Sequence, residues 1–377
     1  MSKYKILTVV GTRPEIIRLS RCINSLDKKF NHVLVHTNQN YDYELNKIFF
    51  KDLDLKLPKY SINHKKKKIY DILSKNLIEI EKIIIKEKPD AFIILGDTNS
   101  ALTSYVAKRN KIPLIHIEAG NRCFDESVPE EINRKIVDHL SDINMPLSEQ
   151  ARDYLIAEGI KPETVIKTGS PMMEVLNANM EKILDSKILE TEGLVKGKYI
   201  LMSIHREENV DSPKNFNQLL ESIETISTVY EMPIIISTHP RTKKKLQEIG
   251  YDKKNKLLRF SKPYGFHEYN KLQLNAFCVI SDSGTIAEES SILNLPAITI
   301  RNAHERPEGM DEGALIMSGL DKDRIIESVD VVTKQHDQDR AMKLVGDYDV
   351  DNVSKKVIRI ILSYTDYINR TVWHKET

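Results

Sequence analysis

The chain has 377 residues, more than one ordinary hydrophobic core needs, and this length predicts two domains. Its 56 Lys and Arg nearly balance 55 Asp and Glu, so the net charge of +1 favours neither nucleic acid nor a membrane surface as a partner. Cys22, Cys123 and Cys278 form no CxxC pair, which excludes a disulfide framework or a sequence-local zinc site and is typical of a reducing compartment. With no apolar stretch of membrane-spanning length and no signal-peptide pattern, we expect a cytoplasmic protein.

Short apolar runs recur along the chain, and a longer amphipathic segment follows each run. They are Ile6–Val10, Val33–His36, Ala91–Leu95 and Pro113–Ile117 in the first half, and Tyr199–Ile204, Pro233–Ser237, Phe277–Ser281 and Ala297–Ile300 in the second. Continuous rather than alternating hydrophobicity indicates strands buried on both faces, hence parallel sheets covered by helices. The sequence therefore predicts an α/β protein with a doubly wound domain in each half.

The polar stretch 177–198 separates the two halves, and Gly169-Ser170-Pro171 marks the expected hinge. We predict a first domain over residues 1–170 and a second over residues 171–352. Apolar residues at helical spacing from Val353 to Tyr367 predict a helix in the remaining segment, residues 353–377.

Ligands of doubly wound sheets bind at the carboxyl ends of the strands. The first strand ends in Gly11–Glu15, where Pro14 suits a first helical turn and Arg13 lies at a helix N-terminus, a favourable place for anions. The alternative is a capped turn with a solvated arginine. Gly11 lacks the second and third glycines of a dinucleotide fingerprint.

Three carboxylates follow later in the first half. Asp97 and Glu118 each come directly after a strand, and Glu130 opens a helix. An acid at a buried strand end is costly unless it binds a ligand or transfers protons. Neighbouring acids indicate acid–base chemistry, because their pKa values can be driven apart. The alternative is a set of caps and ion pairs, with Asp97 as N-cap of a helix beginning near Thr98.

The second half places other polar residues after its strands. His205 follows the first of them, and a lone histidine at such a place is more often structural than catalytic. Ser283 and Gly284 open a helix whose backbone N–H groups could bind phosphate. Glu288 or Glu289 in that helix could accept hydrogen bonds from ribose hydroxyls, and Arg306 follows a later strand. Acids in one domain and an anion site in the other indicate a nucleotide-sugar enzyme with its site in the cleft between them.

Seven short motifs occur in the order and at the spacing of one enzyme family. They are Gly11–Glu15, Gly96–Thr98, Glu118–Gly120, Pro129–Arg134, His205–Asn209, Asp282–Gly284 with Glu288-Glu289, and Glu305–Glu308. On these residues the chain resembles the non-hydrolysing UDP-N-acetylglucosamine 2-epimerase family over nearly its full length. The resemblance implies two Rossmann-like domains in a glycosyltransferase-B arrangement, with a C-terminal helix crossing back onto the first domain.

The resemblance also implies a reaction and its participants. The C2 proton of a UDP-N-acetylhexosamine is removed as UDP leaves C1, and UDP adds back to the resulting glycal while C2 is reprotonated on its other face. The family's acid–base positions correspond to Asp97, Glu118, Glu130 and His205. Substrate or UDP contacts correspond to Arg13, Arg18, Ser283, Gly284, Glu289 and Arg306. The resemblance implies an enzyme that needs no nicotinamide cofactor or metal. We expect a homodimer and, from the balanced charge and the absence of a membrane-spanning stretch, neither nucleic acid nor a membrane as partner.

Two departures from the family pattern concern charge. Arg18 stands where the glucosamine-specific members usually carry lysine, which keeps the charge but changes its geometry. The segments that form an activator site in many bacterial members read differently at residues 38–42 and 64–68, the second being strongly basic. We therefore expect no activation by substrate.

A third departure concerns the sugar. Residues 121–125 replace the common Leu-Arg-Thr after Glu118-Ala119-Gly120. Together with residues 128–139, 237–241, 301–310 and 364–373, they resemble a branch that forms UDP-N-acetyl-L-fucosamine from its 6-deoxy-talose epimer. Arg122 and Phe124 are the candidates for the sugar pocket, and Phe124 suits a C6 methyl group or, alternatively, a core position. UDP-N-acetylglucosamine is the alternative substrate. A glycosyltransferase of the same fold and a non-catalytic nucleotide-sugar sensor are the alternative functions.

Overall fold

The structure is a computed structural model that describes residues 4–38, 43–64, 68–204, 206–238, 240–251, 255–336, 340 and 342–375. The chain forms two compact units, residues 1–178 together with 347–377, and residues 179–346. The C-terminal segment thus returns to the first unit. The predicted boundaries at 170 and 352 differ from these two divisions by eight and six residues.

The first unit is built on a six-stranded parallel sheet. Its strands are β1 (Lys5–Val10), β2 (Asn31–His36), β3 (Tyr60–Ser61), β4 (Ala91–Leu95), β5 (Leu114–Ile117) and β6 (Ile143–Met145). They lie in the order β3-β2-β1-β4-β5-β6, so β1 pairs with both β2 and β4. The carboxyl ends of β1 and β4 therefore form the topological switch point, where such sheets bind ligands.

Helices connect the strands of the first unit. They are α1 (Arg13–Lys29), α2 (Tyr43–Asp52), α3 (Ile69–Glu87), α4 (Ser104–Arg109), α5 (Pro129–Leu140), α6 (Glu149–Ala157) and the final helix α16 (Val353–Thr371). Helix α7 (Met172–Asp185) begins in the first unit and ends in the second, since the division falls after residue 178. Short 3₁₀ turns occupy Ala101–Thr103 and Pro162–Thr164. Within the described part of the chain, no helix combines the length and apolarity that crossing a bilayer requires.

The second unit repeats this design. Its strands are β7 (Ile200–Ile204), β8 (Ile234–Thr238), β9 (Leu258–Ser261), β10 (Cys278–Ser281), β11 (Ala297–Thr299) and β12 (Ile316–Met317). Its helices are α8 (Ile188–Glu192), α9 (Glu207–Val210), α10 (Pro213–Tyr230), α11 (Pro240–Glu248), α12 (Phe266–Asn275), α13 (Ile286–Leu293), α14 (Pro307–Asp311) and α15 (Lys322–His336). The parallel order β12-β11-β10-β7-β8-β9 puts this unit's switch point between β7 and β10.

Strands buried on both faces explain the continuous apolar runs. In β7, Ile200 and Met202 pack into one hydrophobic cluster while Leu201 packs into another on the opposite face of the sheet. All five residues of β4 are buried. The predicted fold class, two doubly wound α/β domains, is confirmed. The eight apolar runs all lie at strands, whereas the four remaining strands, β3, β6, β9 and β12, were not predicted, and each lies at an edge of its sheet.

The predicted C-terminal helix is α16, and it packs against α1. Val357 and Ile361 on its inner face are fully buried. Glu174 of α7 accepts a hydrogen bond from the backbone N–H of Ser354 (2.9 Å) at the start of the helix, and Asp366 accepts one from the Tyr4 hydroxyl (2.6 Å). The tail is therefore an integral layer of the first unit.

Candidate active site

Loops after β1, β2 and β4 converge at the switch point of the first unit. A side chain on Gly11 would displace two hydroxyl groups, because a Cβ would lie 1.9 Å from Ser100 Oγ and 2.4 Å from Thr37 Oγ1. Gly11 therefore allows these two hydroxyls to hydrogen-bond to each other (2.7 Å) beside the start of α1.

Glu118 lies directly after β5 in a left-handed backbone conformation, with φ of +66°. Its carboxylate forms an ion pair with Arg18 and accepts a hydrogen bond from Asn121 Nδ2 (3.2 Å), and the side chain is only 10% exposed. A Cβ on Gly96 would lie 4.0 Å from Glu118 Oε2, so this carboxylate is next to the loop that carries Asp97. Such a conformation costs about 1–3 kcal/mol in a residue other than glycine and is typical of functional sites.

Asp97 is held by an arginine rather than by a helix terminus. Its Oδ2 atom accepts a hydrogen bond from Arg134 Nε (2.9 Å), and Arg134 Nη1 donates to Glu131 (2.9 Å). The structural alternative for Asp97, an N-cap of a helix beginning near Thr98, is wrong, because α4 begins only at Ser104 after a 3₁₀ turn. Arg134 instead connects the Asp97 loop to α5.

Glu130 and Glu131 both lie in the first turn of α5, but their surroundings differ. Glu131 is fully buried and accepts hydrogen bonds from the backbone N–H groups of Cys123 (3.0 Å) and Phe124 (3.3 Å). Glu130 is half-buried. Glu131 therefore stabilises the loop that precedes α5, and the acid–base role of Glu130 stays a prediction.

The two sugar-pocket candidates have unlike environments. Arg122 is 2% exposed, and its guanidinium donates to Asp138 (2.7 Å) and Glu158 (2.8 Å), which favours a structural role. The same guanidinium holds the pKa of Glu158 below its usual range. Phe124 is 71% exposed and stacks edge-to-face on Tyr154, with ring centroids 5.3 Å apart. Both assignments to the sugar pocket stay predictions.

Two residues of the first turn of α1 complete this edge. Arg13 is half-buried, with its guanidinium 5.6 Å from the centre of the Phe49 ring. Glu15 is 2% exposed, and its carboxylate joins the loops after β1 and β4 by accepting hydrogen bonds from Thr12 and Thr98. Burial raises the pKa of Glu15 to about 7, although those hydrogen bonds oppose the shift. Glu15 was not among the predicted site residues, although its capping-box spacing from Thr12 is visible in the sequence.

At the switch point of the second unit, Asp282 joins the loops after β7 and β10. It is fully buried and accepts hydrogen bonds from the backbone N–H of Arg206 (3.0 Å) and from Asn209 Nδ2 (3.2 Å). His205, the predicted catalytic residue of this loop, lies outside the described residues. Its predicted role stays a prediction.

Ser283 and Gly284 precede α13, as predicted. The N–H of Ser283 donates to Ser281 Oγ (3.0 Å), so part of the expected phosphate-binding backbone is engaged within the loop. Gly284 faces charged groups: a Cβ there would lie 3.6 Å from both Arg206 Nη2 and Glu305 Oε2 and 3.9 Å from Arg301 Nη1. Two guanidinium groups and one carboxylate therefore lie close to this turn, and neither Arg206 nor Arg301 was among the predicted site residues.

Arg306 and the acids of α13 lie in the same region. Arg306 is 5% exposed, with its Nη2 atom 3.2 Å from Oε2 of the fully buried Glu288. Glu289 is half-buried and accepts a hydrogen bond from Gln273 Nε2 (2.6 Å). Several arginines beside a small-residue turn at a helix N-terminus can bind a phosphorylated ligand.

Two sheets with the same switch-point topology, one bordered by carboxylates and the other by arginines, define an α/β protein of the nucleotide-binding type. The chain belongs to the UDP-N-acetylglucosamine 2-epimerase family, whose model matches residues 24–362. It is therefore an enzyme of the isomerase class.

Solved structures and characterised relatives are similar over most of the chain. The structure of UDP-N-acetylglucosamine 2-epimerase from Rickettsia bellii is 49% identical, with a TM-score of 0.92 over 99% of this chain and 100% of that one. The Methanocaldococcus jannaschii UDP-GlcNAc 2-epimerase, solved with UDP-GlcNAc and UDP, is 36% identical, with a TM-score of 0.89 over 95% and 99%. A Pseudomonas aeruginosa UDP-2,3-diacetamido-2,3-dideoxy-D-glucuronate 2-epimerase is 30% identical over 86% of this chain and 91% of that protein.

Proposed function

We propose that the protein is a non-hydrolysing C2 epimerase of a UDP-N-acetylhexosamine. The observation that carries the proposal is Glu118, a nearly buried carboxylate in left-handed backbone, paired with Arg18 and adjacent to the Asp97 loop. Buried acids in a strained, charged setting are suited to proton transfer. Family membership supports the same reaction.

In the proposed reaction, a base removes the C2 proton, the C–H electron pair forms the C1–C2 double bond, and UDP leaves with the C1–O electron pair. UDP oxygen then attacks C1 of the glycal while an acid on the opposite face delivers a proton to C2. A weakly acidic C2–H needs positioned bases, and the departing diphosphate needs compensating positive charge. We assign the acid–base steps to Asp97, Glu118, Glu130 and His205. We do not assign these residues individually to the two faces of the sugar at C2.

We assign the UDP moiety to the second unit. Its diphosphate would lie at Ser283 and Gly284 beside Arg306, and Glu289 would accept hydrogen bonds from the ribose. The guanidinium groups of Arg206 and Arg301, which lie near Gly284 together with the Glu305 carboxylate, support this assignment, because charge-assisted contacts to phosphate are among the stronger hydrogen bonds. In the first unit, Arg13 and Arg18 stay predicted substrate contacts, and Arg18 also pairs with Glu118.

For the sugar, we propose UDP-2-acetamido-2,6-dideoxy-L-talose, with UDP-N-acetyl-L-fucosamine as product. The support is Phe124, an exposed aromatic side chain on the loop between Glu118 and Glu130. Such a ring can enclose a C6 methyl group, whereas a C6 hydroxyl would lose water without gaining a partner. Relatives act on different sugars, as the names of the M. jannaschii and P. aeruginosa enzymes state, so family membership leaves UDP-N-acetylglucosamine as the alternative.

Incubation with each UDP-sugar in deuterium oxide tests the reaction and the substrate together. We expect deuterium at C2 with both sugars, with kcat/KM about a hundredfold higher on the 6-deoxy sugar, the usual scale for one group in an apolar pocket. Phe124→Ala should reduce that preference, and the rate should depend hyperbolically on substrate. A higher kcat/KM on UDP-N-acetylglucosamine than on the 6-deoxy sugar would refute the proposed substrate, but it would not contradict the proposed epimerase reaction. Sugar transfer to an acceptor without exchange would indicate a glycosyltransferase, and binding without either reaction would indicate a sensor.

A further inference from the structure

Glu15 forms more hydrogen bonds than a helix cap requires. A capping box needs only the backbone N–H of Thr12, which donates to Glu15 Oε2 (2.7 Å). The same oxygen also accepts hydrogen bonds from the Gly11 N–H (3.0 Å) and from the Thr12 hydroxyl (2.8 Å). The second oxygen, Oε1, accepts from the Thr98 hydroxyl (3.1 Å), which belongs to a different loop. Glu15 therefore links the loop after β1 to the loop after β4.

The contact with Thr98 has a defined direction. Thr98 Oγ1 accepts a hydrogen bond from the N–H of Ser100 (3.3 Å), so its own proton is available for the Glu15 carboxylate. Thr98 is the neighbour of Asp97 in the chain. The backbone at Asp97 has a second anchor, since the carbonyl of Asp97 itself accepts a hydrogen bond from Asn133 Nδ2 (2.9 Å).

Helix α1 connects the two acids of the proposed reaction. Glu15 and Arg18 are three residues apart and therefore lie on one face of the helix. Arg18 pairs with Glu118, whereas Glu15 holds the residue next to Asp97. A displacement of the first turn of α1 would move one acid relative to the other.

We infer that Glu15 is a positioning residue, which fixes Asp97 relative to Glu118 by anchoring Thr98 to the first turn of α1. This inference rests on the proposed epimerase function. A carboxylate within a buried turn is otherwise unfavourable, because its desolvation is expensive unless several donors compensate. Glu15→Gln tests the role, because it keeps the size of the side chain but replaces one acceptor oxygen by an NH₂ group that cannot accept hydrogen bonds.

The expected result is a lower kcat with almost no change in KM. A displacement of a catalytic group by about 1 Å can reduce turnover about a hundredfold, so kcat of Glu15→Gln should fall by about tenfold to a hundredfold. The KM and the Kd for UDP should stay within about twofold of the wild-type values, because a misplaced catalytic group weakens the transition state and not the binding of substrate or UDP in the ground state. Thr98→Val should lower kcat in the same direction, and Thr98→Ser, which restores the hydroxyl, should recover it.

A double-mutant cycle separates positioning from general destabilisation. If Glu15 acts through Thr98, the effects of Glu15→Gln and Thr98→Val on kcat should be less than additive. Glu81→Gln on the exposed face of α3 is the control and should leave kcat unchanged. Unchanged kcat in Glu15→Gln, additive effects, or equal losses of kcat and UDP affinity would each overturn the inference. If the wild-type protein exchanges no deuterium at C2, the proposed function is wrong and the inference is overturned with it.

Discussion

Glu118 occupies a conformation that residues other than glycine seldom adopt, and its partners explain why it persists. The residue follows a buried strand, and its N–H donates to the carbonyl of Met145 (3.0 Å) in the adjacent strand β6. Arg18 and Asn121 hold the carboxylate at the sheet edge. The left-handed backbone of Glu118 therefore directs its carboxylate toward the loops that carry the other acids.

Glu118→Gln should abolish most turnover while leaving the protein folded, with a lower melting temperature because the buried Arg18 loses its ion pair. The amide keeps the size of the carboxylate and the hydrogen bond to Asn121, but it cannot transfer a proton at neutral pH. Lost acid–base catalysis usually reduces kcat by about a hundredfold or more. Deuterium exchange at C2 measures the loss, and calorimetry should find UDP affinity unchanged. Near-normal exchange in this variant would remove Glu118 from the mechanism.

Arg306→Ala should weaken UDP binding by about tenfold or more, since a charge-assisted contact is worth about 1.5–3 kcal/mol. It should also lower the melting temperature, because the fully buried Glu288 loses a nearby guanidinium. Arg306→Lys is the matched variant: it retains the charge beside Glu288, so the melting temperature should recover more than UDP affinity does. An unchanged Kd in Arg306→Ala would place the diphosphate elsewhere.

Among the secondary-structure elements, the edge strand β3 is stabilised by contacts with a charged residue rather than by a long run of paired residues. It has two residues, Tyr60 and Ser61, and the Tyr60 hydroxyl donates to Glu87 at the end of α3 (2.6 Å). Glu87 also pairs with Lys59 (2.8 Å) and Lys5 (3.2 Å). These contacts join β3, β1 and α3, and they hold the pKa of Glu87 down at about 2, chiefly through Lys59.

Glu87→Gln should destabilise the first unit in a pH-dependent manner. Because the folded-state pKa lies below the ordinary value of 4.5, the ionised carboxylate contributes stability above pH 4.5 that is lost as the pH falls toward 2. The difference in unfolding free energy between wild type and variant should therefore shrink over that range. Glu79→Gln, which removes an exposed pair with Lys82, should have little effect at any pH. A constant difference from pH 7 to pH 2 would contradict the argument.

For the whole molecule, the return of the chain into the first unit determines which fragments can fold. Residues 179–346 form a compact unit with hydrophobic clusters on both faces of its sheet. Residues 1–178 lack α16, whose Val353, Val357 and Ile361 are fully buried. The first unit is therefore discontinuous in sequence.

A fragment of residues 179–346 should unfold cooperatively in urea, as monitored by circular dichroism. A fragment of residues 1–178 should be unfolded or aggregated, because it exposes the apolar face of α1 that α16 covers in the full chain. Addition of a peptide of residues 347–377 should restore its helical signal. Cooperative unfolding of 1–178 alone would show that α16 is dispensable.

The sequence by itself determined the fold class, because central parallel strands are buried on both faces and must be continuously apolar, as in Ala91–Leu95. It also determined the positions after strand ends where Asp97, Glu118 and Ser283 lie. The edge strands escaped prediction because strands as short as Ile316–Met317 are defined by pairing with a neighbour rather than by their own pattern. Side-chain partners were decided only by the tertiary structure: Arg134 reaches Asp97 across 37 positions of sequence, and Arg18 reaches Glu118 across 100. The spacing of residues along the sequence indicates which of them share a strand or a helix face. Pairs such as Arg134 with Asp97 depend instead on how the strands are ordered in the sheet.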